Sequence, residues 1–514
     1  AEKAGFSSGA SATANLALIS WNQVLLYPKG ARADELLYSA ALRLPAGWKS
    51  ATALPTTRVT DERIEFSPVS LTTLVDSPVL AGLYFRVVTL TGDSPAHRID
   101  IAADSEAALE MSPELEAAFR SLVAETGALF GARHYRHYDF LLTLSDHTAH
   151  FGLEHHESSD DRTDERAVVD PNKRWTMLVG LLTHEMTHSW NGKYRRPADL
   201  AIGKLDEPMH GDLLWVYEGL TEYLGQILTG RSGLLTPEQY REGLALTAAA
   251  MDHQKGRGWR PLSDTAVAAQ ILYGARSDWA SWRRGTDFYP ESELLWLEAD
   301  TIIRAATRGA RSLDDFCRAF HGGSSGPPKV VAYTFEDVVT TLNQVAPYDW
   351  RRFWTARLNT TAPGAPLNGI LESGWKLVYT ETVSGMQRAA EEANKSEDES
   401  FSIGFTVGQD GTIPDVIPDS PAARAGVAPG MKLVAVNGRR WDRDSQVLRD
   451  AVRASRTQPI ELLVENGEFF RSCRLDYSGG PQYPHLERDP SKPDLLSLIV
   501  APHTAAVQPK KPGS

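Results

Sequence analysis

Apolar residues occur first in short runs and later at helical spacing, and the change divides the chain. The runs 16–19, 23–27, 37–42 and 82–90 are β-prone and separated by Pro, Gly and Asp turns, which predicts a β-sandwich-like N-terminal domain over 1–110. From 113 to 369 the periodicity is helical, as in 113–125 and 292–307, with Pro and Gly at the ends, so 111–375 is expected to be a mainly helical domain. The stretch 387–400 is polar without a core pattern and reads as a linker. Short strands with Gly and Pro turns return over 401–478, giving a third domain within 376–485. Residues 486–514 read as a tail, Ala, Pro and Lys rich and disordered from 502 onwards. The fold class is therefore α+β and multidomain.

Composition narrows the partners. The chain has 514 residues, 42% hydrophobic and 23% charged, with 53 Lys and Arg against 66 Asp and Glu, a formal charge of −13. No basic block offsets that charge, which disfavours nucleic acid and anionic membrane. No run approaches the ~18 apolar residues of a membrane span. Cys317 and Cys473 are the only cysteines, so no disulfide framework or Cys-based zinc site is expected, and the count fits cytosol or periplasm alike. The chain starts at Ala1 with no leader-like pattern, as expected of a removed signal or a trimmed end.

The sharpest chemical signal is His184-Glu185-Met186-Thr187-His188. Asp170-Pro171 supplies a helix start, and Leu178, Leu181 and Leu182 an apolar stripe. On a helix, His184 and His188 project from one face, one turn apart, where two imidazoles reach a single Zn²⁺. Glu185 lies beside that face, within reach of a metal-bound water. The same spacing also arises by chance in surface helices.

A zinc hydrolase needs a third protein ligand. A helix expected over 212–229, with Gly230 past its end, contains Glu218, with 29 residues between it and His188. Its flanks Trp215, Val216 and Leu220 are apolar, and a buried Glu needs a partner such as a metal. The alternative is a solvated face shared by Glu218 and Glu222 at i,i+4. Gly219 in a helix interior costs roughly 1 kcal/mol and points to a close helix approach.

His184-Glu185-Met186-Thr187-His188-Ser189-Trp190-Asn191, then Arg195-Arg196-Pro197, then Glu218-Gly219-Leu220-Thr221-Glu222-Tyr223 resembles the glycyl aminopeptidase family of zinc metallopeptidases, relatives of aminopeptidase N with a thermolysin-like catalytic domain. The resemblance runs from about 15 to about 480. It implies one Zn²⁺ per chain held by His184, His188 and Glu218, with Glu185 as general base. Phe151-Gly152-Leu153-Glu154-His155-His156 resembles the family's substrate-binding edge strand, which makes Glu154, with Gly152, the site for a free α-ammonium group. An exposed acid in a polar loop is the alternative. Tyr289 in Phe288-Tyr289-Pro290 occupies the place of the family's transition-state hydrogen-bond donor; packing is its alternative role. His147, His150, His155 and His156 read as loop histidines rather than a second metal site. Only about 20 residues precede Trp21, where the family's sandwich has more strands, so a processed or truncated form is expected.

Near the C-terminus, Ser402-Ile403-Gly404-Phe405-Thr406-Val407, Ser420-Pro421-Ala422-Ala423-Arg424-Ala425-Gly426 and Val436-Asn437-Gly438 resemble a bacterial PDZ domain, with a further helix near 445–454. The resemblance implies that Ile403, Gly404 and Phe405 receive a peptide strand and its C-terminal carboxylate. A packing or dimerisation module is the alternative.

The function expected is a zinc aminopeptidase acting on peptides with a free N-terminus, with small residues such as Gly and Ala implied by the resemblance. The competing readings are an endopeptidase on the same zinc site and a non-catalytic PDZ scaffold or adaptor. A C-terminal peptide or partner protein at the PDZ domain is a possible further partner. The periplasm or the cell exterior is the expected compartment, with the cytoplasm as the alternative.

Overall fold

The computed structural model describes residues 11–60, 63–92, 95–276, 278–505 and 507–509. The first ten residues and the last five, on which the readings of the chain's start and of part of the tail rest, lie outside them. The chain forms two compact units, one of residues 1–236, 303–350 and 500–514, the other of 237–302 and 351–499.

In the first unit, Leu16–Ile19 and Lys49–Ala51 flank Val79–Gly82 in an antiparallel three-stranded sheet, and Ala41–Arg43, Arg63–Phe66 and Thr56–Val59 form another. Alternation puts Leu16 and Leu18 inward, against Ala51, Leu80, Ala102 and Leu141. The run at 82–90 does not stay with these strands. Tyr84–Thr91 is an edge of a five-stranded mixed sheet whose order continues Ala96–Ala103, His137–Leu144, Ser158–Thr163, Phe151–Glu154. Alternation reveals that a strand has a wet and a dry face, not which sheet it joins.

Helix Pro113–Phe130, capped by Ser112 and ended by Gly131 at φ +73°, is the crossover that lets Ala96–Ala103 and His137–Leu144 run parallel. Strand His137–Leu144 is buried along nearly its whole length, matching its apolar run. Its other neighbour, Ser158–Thr163, has the sequence Ser-Ser-Asp-Asp-Arg-Thr and is buried throughout. Four of its polar side chains pair within the strand: Arg162 grips Asp160 at 2.6–3.2 Å and Ser159 donates to Asp161 at 2.7 Å.

The helix expected over 212–229 is observed as Leu214–Tyr217 and Gly219–Ser232, with backbone bonds running through Glu218: its N–H donates to Leu214 O at 2.8 Å and its carbonyl accepts from Glu222 N at 2.7 Å. Gly233, at φ +79°, ends it. Gly230 lies inside the helix, where a Cβ would meet Val500 Cβ at 3.1 Å. The close helix approach inferred for Gly219 falls at Gly225, where a Cβ would sit 3.2 Å from His184 Cα.

In the second unit, the stretch 387–400 is not a linker. Helix Gly385–Asn394 is capped by Ser384 and buries Met386 and Ala389 together with Gln387 and Glu391, and strand Ser396–Asp398 then pairs with Thr406–Gly408. Its buried face is half polar, so hydropathy missed it. A four-stranded sheet, in the order Arg439–Arg440, Lys432–Val436, Ile460–Asn466, Phe469–Leu475, packs around Ile403, Phe405, Val407, Val436, Leu448 and Leu462. Trp375–Thr380 pairs antiparallel with Tyr483–Arg488.

The segment read as a tail has structure as well. Helix Leu495–Ile499 buries Leu496 and Ile499. In the first unit, the N–H groups of His503 and Thr504 donate to the Glu125 carboxylate at 3.0 and 2.7 Å. Among the described residues no helix is long and apolar enough to cross a membrane.

Candidate active site

The site lies in the first unit. Asp170 caps the chain's entry, its carboxylate accepting from Asn172 N at 2.9 Å with Pro171 in the first position, and a wide turn over Arg174–Leu178 leads into helix Val179–His188. His184 and His188 stand on one face of it, and Glu218 reaches them from the second helix. His188 Nε2 lies 3.0 Å from His184 Nε2 and 3.1 Å from Glu218 Oε2, and His184 Nε2 lies 3.4 Å from that oxygen.

The protonation pattern tests whether this trio fits a metal. His188 Nδ1 faces the Asn191 carbonyl oxygen at 2.9 Å, a group that only accepts, so Nδ1 carries the hydrogen and Nε2 the lone pair. His184 Nδ1 faces Glu222 Oε2 at 2.9 Å in the same sense. Two lone pairs and a carboxylate thus point at one another in a buried pocket. That arrangement calls for a cation, and two His with one Glu is the donor set of hydrolytic zinc. A proton is the smallest cation that can fill this role: burial works against charge on His184, but its hydrogen bonds to Glu218 and Glu222 raise its pKa well above the ordinary value. Burial also opposes charge on Glu218, which the His188 and His184 rings overcome, holding it at about 2.

Glu185, next to His184 in the chain, has a carboxylate oxygen within 4.8 Å of ligand atoms of His188 and Glu154. Its carboxyl is pushed well above the usual range by burial, with Glu154, Asp161 and Glu218 adding to the rise against His184. Edge strand Phe151–Glu154 passes over it, and a Cβ on Gly152 would collide with Glu185 Oε1 and approach Leu181 Cδ1 at 2.6 Å. Glu154, at the end of that strand, has a ligand atom within 4.8 Å of those of Glu185 and His188. Burial disfavours its charge, yet His188 and Lys193 outweigh that and hold it below the ordinary carboxylate value.

Three residues outside the sequence-based set support this geometry. The Tyr217 hydroxyl donates to Glu154 Oε1, receives Arg196 Nη1 at 3.3 Å, and its ring lies 4.9 Å from that of His188. Glu222 orients His184. Asn191 Nδ2 donates to Val216 O, Tyr217 O and Thr221 Oγ1 at 2.8, 3.2 and 3.0 Å, tying the end of the first ligand helix to the start of the second. Their sequence signal was adjacency to the ligands, which does not tell a supporting side chain from a solvated one.

Of the remaining candidates, His155 Nδ1 lies 3.3 Å from Asp76 Oδ1 and His156 N donates to Asp76 Oδ2 at 2.9 Å, so both are bound up with a carboxylate that also holds Lys193 at 2.6 Å. Tyr289 belongs to the second unit, where its hydroxyl meets that of Tyr273 at 2.6 Å. Ile403, Gly404 and Phe405 are also there. Ile403 and Phe405 are core residues, and Gly404, at φ +104°, lies where a Cβ would collide with Ser420.

Residues 177–295 match the M61 glycyl aminopeptidase domain, residues 4–83 the peptidase M61 N-terminal domain, and residues 412–466 a PDZ domain. No curated protein matches the chain in sequence. Among solved structures, the chain is similar to an aminopeptidase N family protein from Idiomarina loihiensis, with 17% identity and a TM-score of 0.73 over 95% of this chain and 83% of that one. That likeness concerns the fold. A variant of an M1 zinc metallopeptidase from Deinococcus radiodurans matches at 16% identity over 65% of this chain and 67% of that one, with a TM-score of 0.41.

Proposed function

From the premise that the chain carries the catalytic and N-terminal domains of the glycyl aminopeptidase family and is a metallo-aminopeptidase, we propose that it releases N-terminal residues from peptides, small ones such as Gly and Ala foremost, with one zinc ion per chain held by His184, His188 and Glu218. The small-residue preference rests on the family resemblance. The observation that carries the exopeptidase reading is the position of Glu154. A charged carboxylate stands beside the ligand set, where a free α-ammonium group has to be held if the adjacent peptide bond is to lie at the ligands.

Zinc at these ligands supplies Lewis-acid polarisation of a carbonyl and a lowered pKa for water. Glu185, beside the trio but outside it, takes up the proton of the attacking water and passes it to the departing amine. Gly152 leaves room for that carboxylate, and Glu154 fixes the substrate's end so that its first peptide bond is the one presented. Tyr289 is assigned the hydrogen bond to the developing oxyanion on the strength of its place in the family pattern.

The test compares aminoacyl-anilides with N-blocked peptides in the wild type and in Glu154→Ala, with and without a chelator. We expect the chelator to abolish hydrolysis and Glu154→Ala to reduce turnover of free-amine substrates at least about a hundredfold, while blocked substrates stay equally poor in both proteins. Equal losses on both substrate classes would point to an endopeptidase. Hydrolysis unaffected by Glu185→Gln, in a protein without stoichiometric zinc, would point to a scaffold.

A further inference from the structure

A PDZ fold takes a ligand by adding an extended peptide to the edge of one strand, with the loop before that strand donating N–H groups to the peptide's terminal carboxylate. Here the strand is Thr406–Gly408 and the loop is the stretch that ends at Gly404. Both edges are already taken. On one side Gly404 O accepts from Ile417 N at 2.8 Å and Gly408 N donates to Thr412 O at 2.9 Å, with Phe405 bridged to Val416. On the other, Ser396–Asp398 lies antiparallel in the register Ser396 with Gly408 and Asp398 with Thr406, and Glu399 N donates to Phe405 O at 3.1 Å.

The loop donors are taken as well. The N–H groups of Ser402, Ile403 and Gly404 all converge on one carbonyl oxygen, that of Glu399, at 3.1, 2.9 and 3.0 Å. A peptide oxygen of the chain's own thus receives the donors that the resemblance assigns to a ligand's carboxylate.

The side chains of this segment are held from across the groove. Glu397 Oε2 accepts from Trp441 Nε1 at 3.0 Å. Arg449, on helix Val447–Ala454, binds the Glu391 carboxylate through Nη2 and lies 3.6 Å from Glu399 Oε1 through Nε, and Glu399 Oε1 accepts from Tyr483 at 2.7 Å. Glu397 and Glu399 are only 4% and 1% exposed. Carboxylates this deep persist only where a partner offsets their desolvation, and the partners are Trp441, Tyr483 and Arg449.

We propose that the peptide groove of this PDZ module is occupied in cis by the chain's own acidic strand Ser396-Glu397-Asp398-Glu399, and that the partner its surface fits is an acidic extended segment able to displace that strand. Ile403, Gly404 and Phe405 then form the floor of a filled groove rather than a vacant receptor for a free C-terminus. Arg449 and Trp441 set its preference for carboxylate side chains.

Two measurements on the full chain test this. Hydrogen exchange across 396–408 in the wild type should be slowed by at least about a hundredfold relative to an unfolded peptide, because its amides are paired. A fluorescent peptide of sequence Ser-Glu-Asp-Glu-Ser-Phe should bind the double variant Glu391→Gln, Glu397→Gln at least tenfold more tightly than the wild type, since the variant loosens the resident strand and leaves Arg449 and Trp441 intact. A strand that exchanges as fast as an unfolded peptide overturns the proposal. So do a wild type and a variant that bind the probe equally or not at all.

Discussion

The Cα of Gly152 faces Glu185 so closely that a side chain at 152 would occupy the space of the Glu185 carboxylate. The edge strand and the ligand helix are thereby locked at one separation. Gly152→Ala should displace Glu185 while leaving His184, His188 and Glu218 in place. We expect hydrolysis to fall at least about a hundredfold with zinc content unchanged, since a displacement of about 1 Å at the reacting groups costs that much. Activity assays paired with metal analysis decide it, and retained activity would show that Glu185 has another way to settle.

Glu222 bonds His184 Nδ1 at 2.9 Å and accepts from Gln226 at 2.9 Å. Outer partners of this kind fix the ring orientation and raise ligand basicity. Glu222→Gln should weaken zinc binding about 10–100-fold, measured by competition with a chromophoric chelator. An unchanged affinity would reduce Glu222 to a surface charge.

Tyr217 bridges Arg196 and Glu154. Tyr217→Phe removes the hydroxyl and keeps the ring against His188. The Michaelis constant for free-amine substrates should rise about tenfold with zinc affinity unaltered, because one hydrogen bond to a charged group contributes about 1.5–3 kcal/mol. A loss confined to kcat would instead place Tyr217 in the chemical step.

Burial pushes the Asp161 carboxyl up to about 8, with the Asp160 carboxylate adding to the rise against the Ser159 hydroxyl bond. The unfolded chain loses this proton near pH 4, so between about pH 4 and 8 the folded protein holds one proton more. Stability therefore falls as pH rises through that window, by up to about 1.4 kcal/mol per pH unit from this group. Asp161→Asn should flatten the decline, read as urea midpoints at pH 5 and pH 8. Parallel declines in the two proteins would assign the slope to other groups.

Spacing within one element was enough to place His184, Glu185 and His188, because a helix repeats every 3.6 residues whatever surrounds it. Apolar flanks were enough to turn Glu218 inward, and the Asp170-Pro171 start and the turn residues of the PDZ fold are equally local. The structure brings the ligand atoms of His184, His188 and Glu218 within 4.8 Å of one another.

The long-range relations were decided only by the tertiary structure. The polar run Ser158–Thr163 carries no strand signal of its own, yet it is an inner strand, because Asp160 and Arg162 pair with each other once neighbouring strands exclude water. The stretch 387–400 read as a linker, yet Arg449 and Trp441 hold its carboxylates in place. Nor does alternation along Tyr84–Thr91 reveal which sheet it joins. Sequence periodicity sets which side of an element faces inward. Which element it meets there, and so whether a buried polar group finds its partner, depends on packing between residues far apart in the chain.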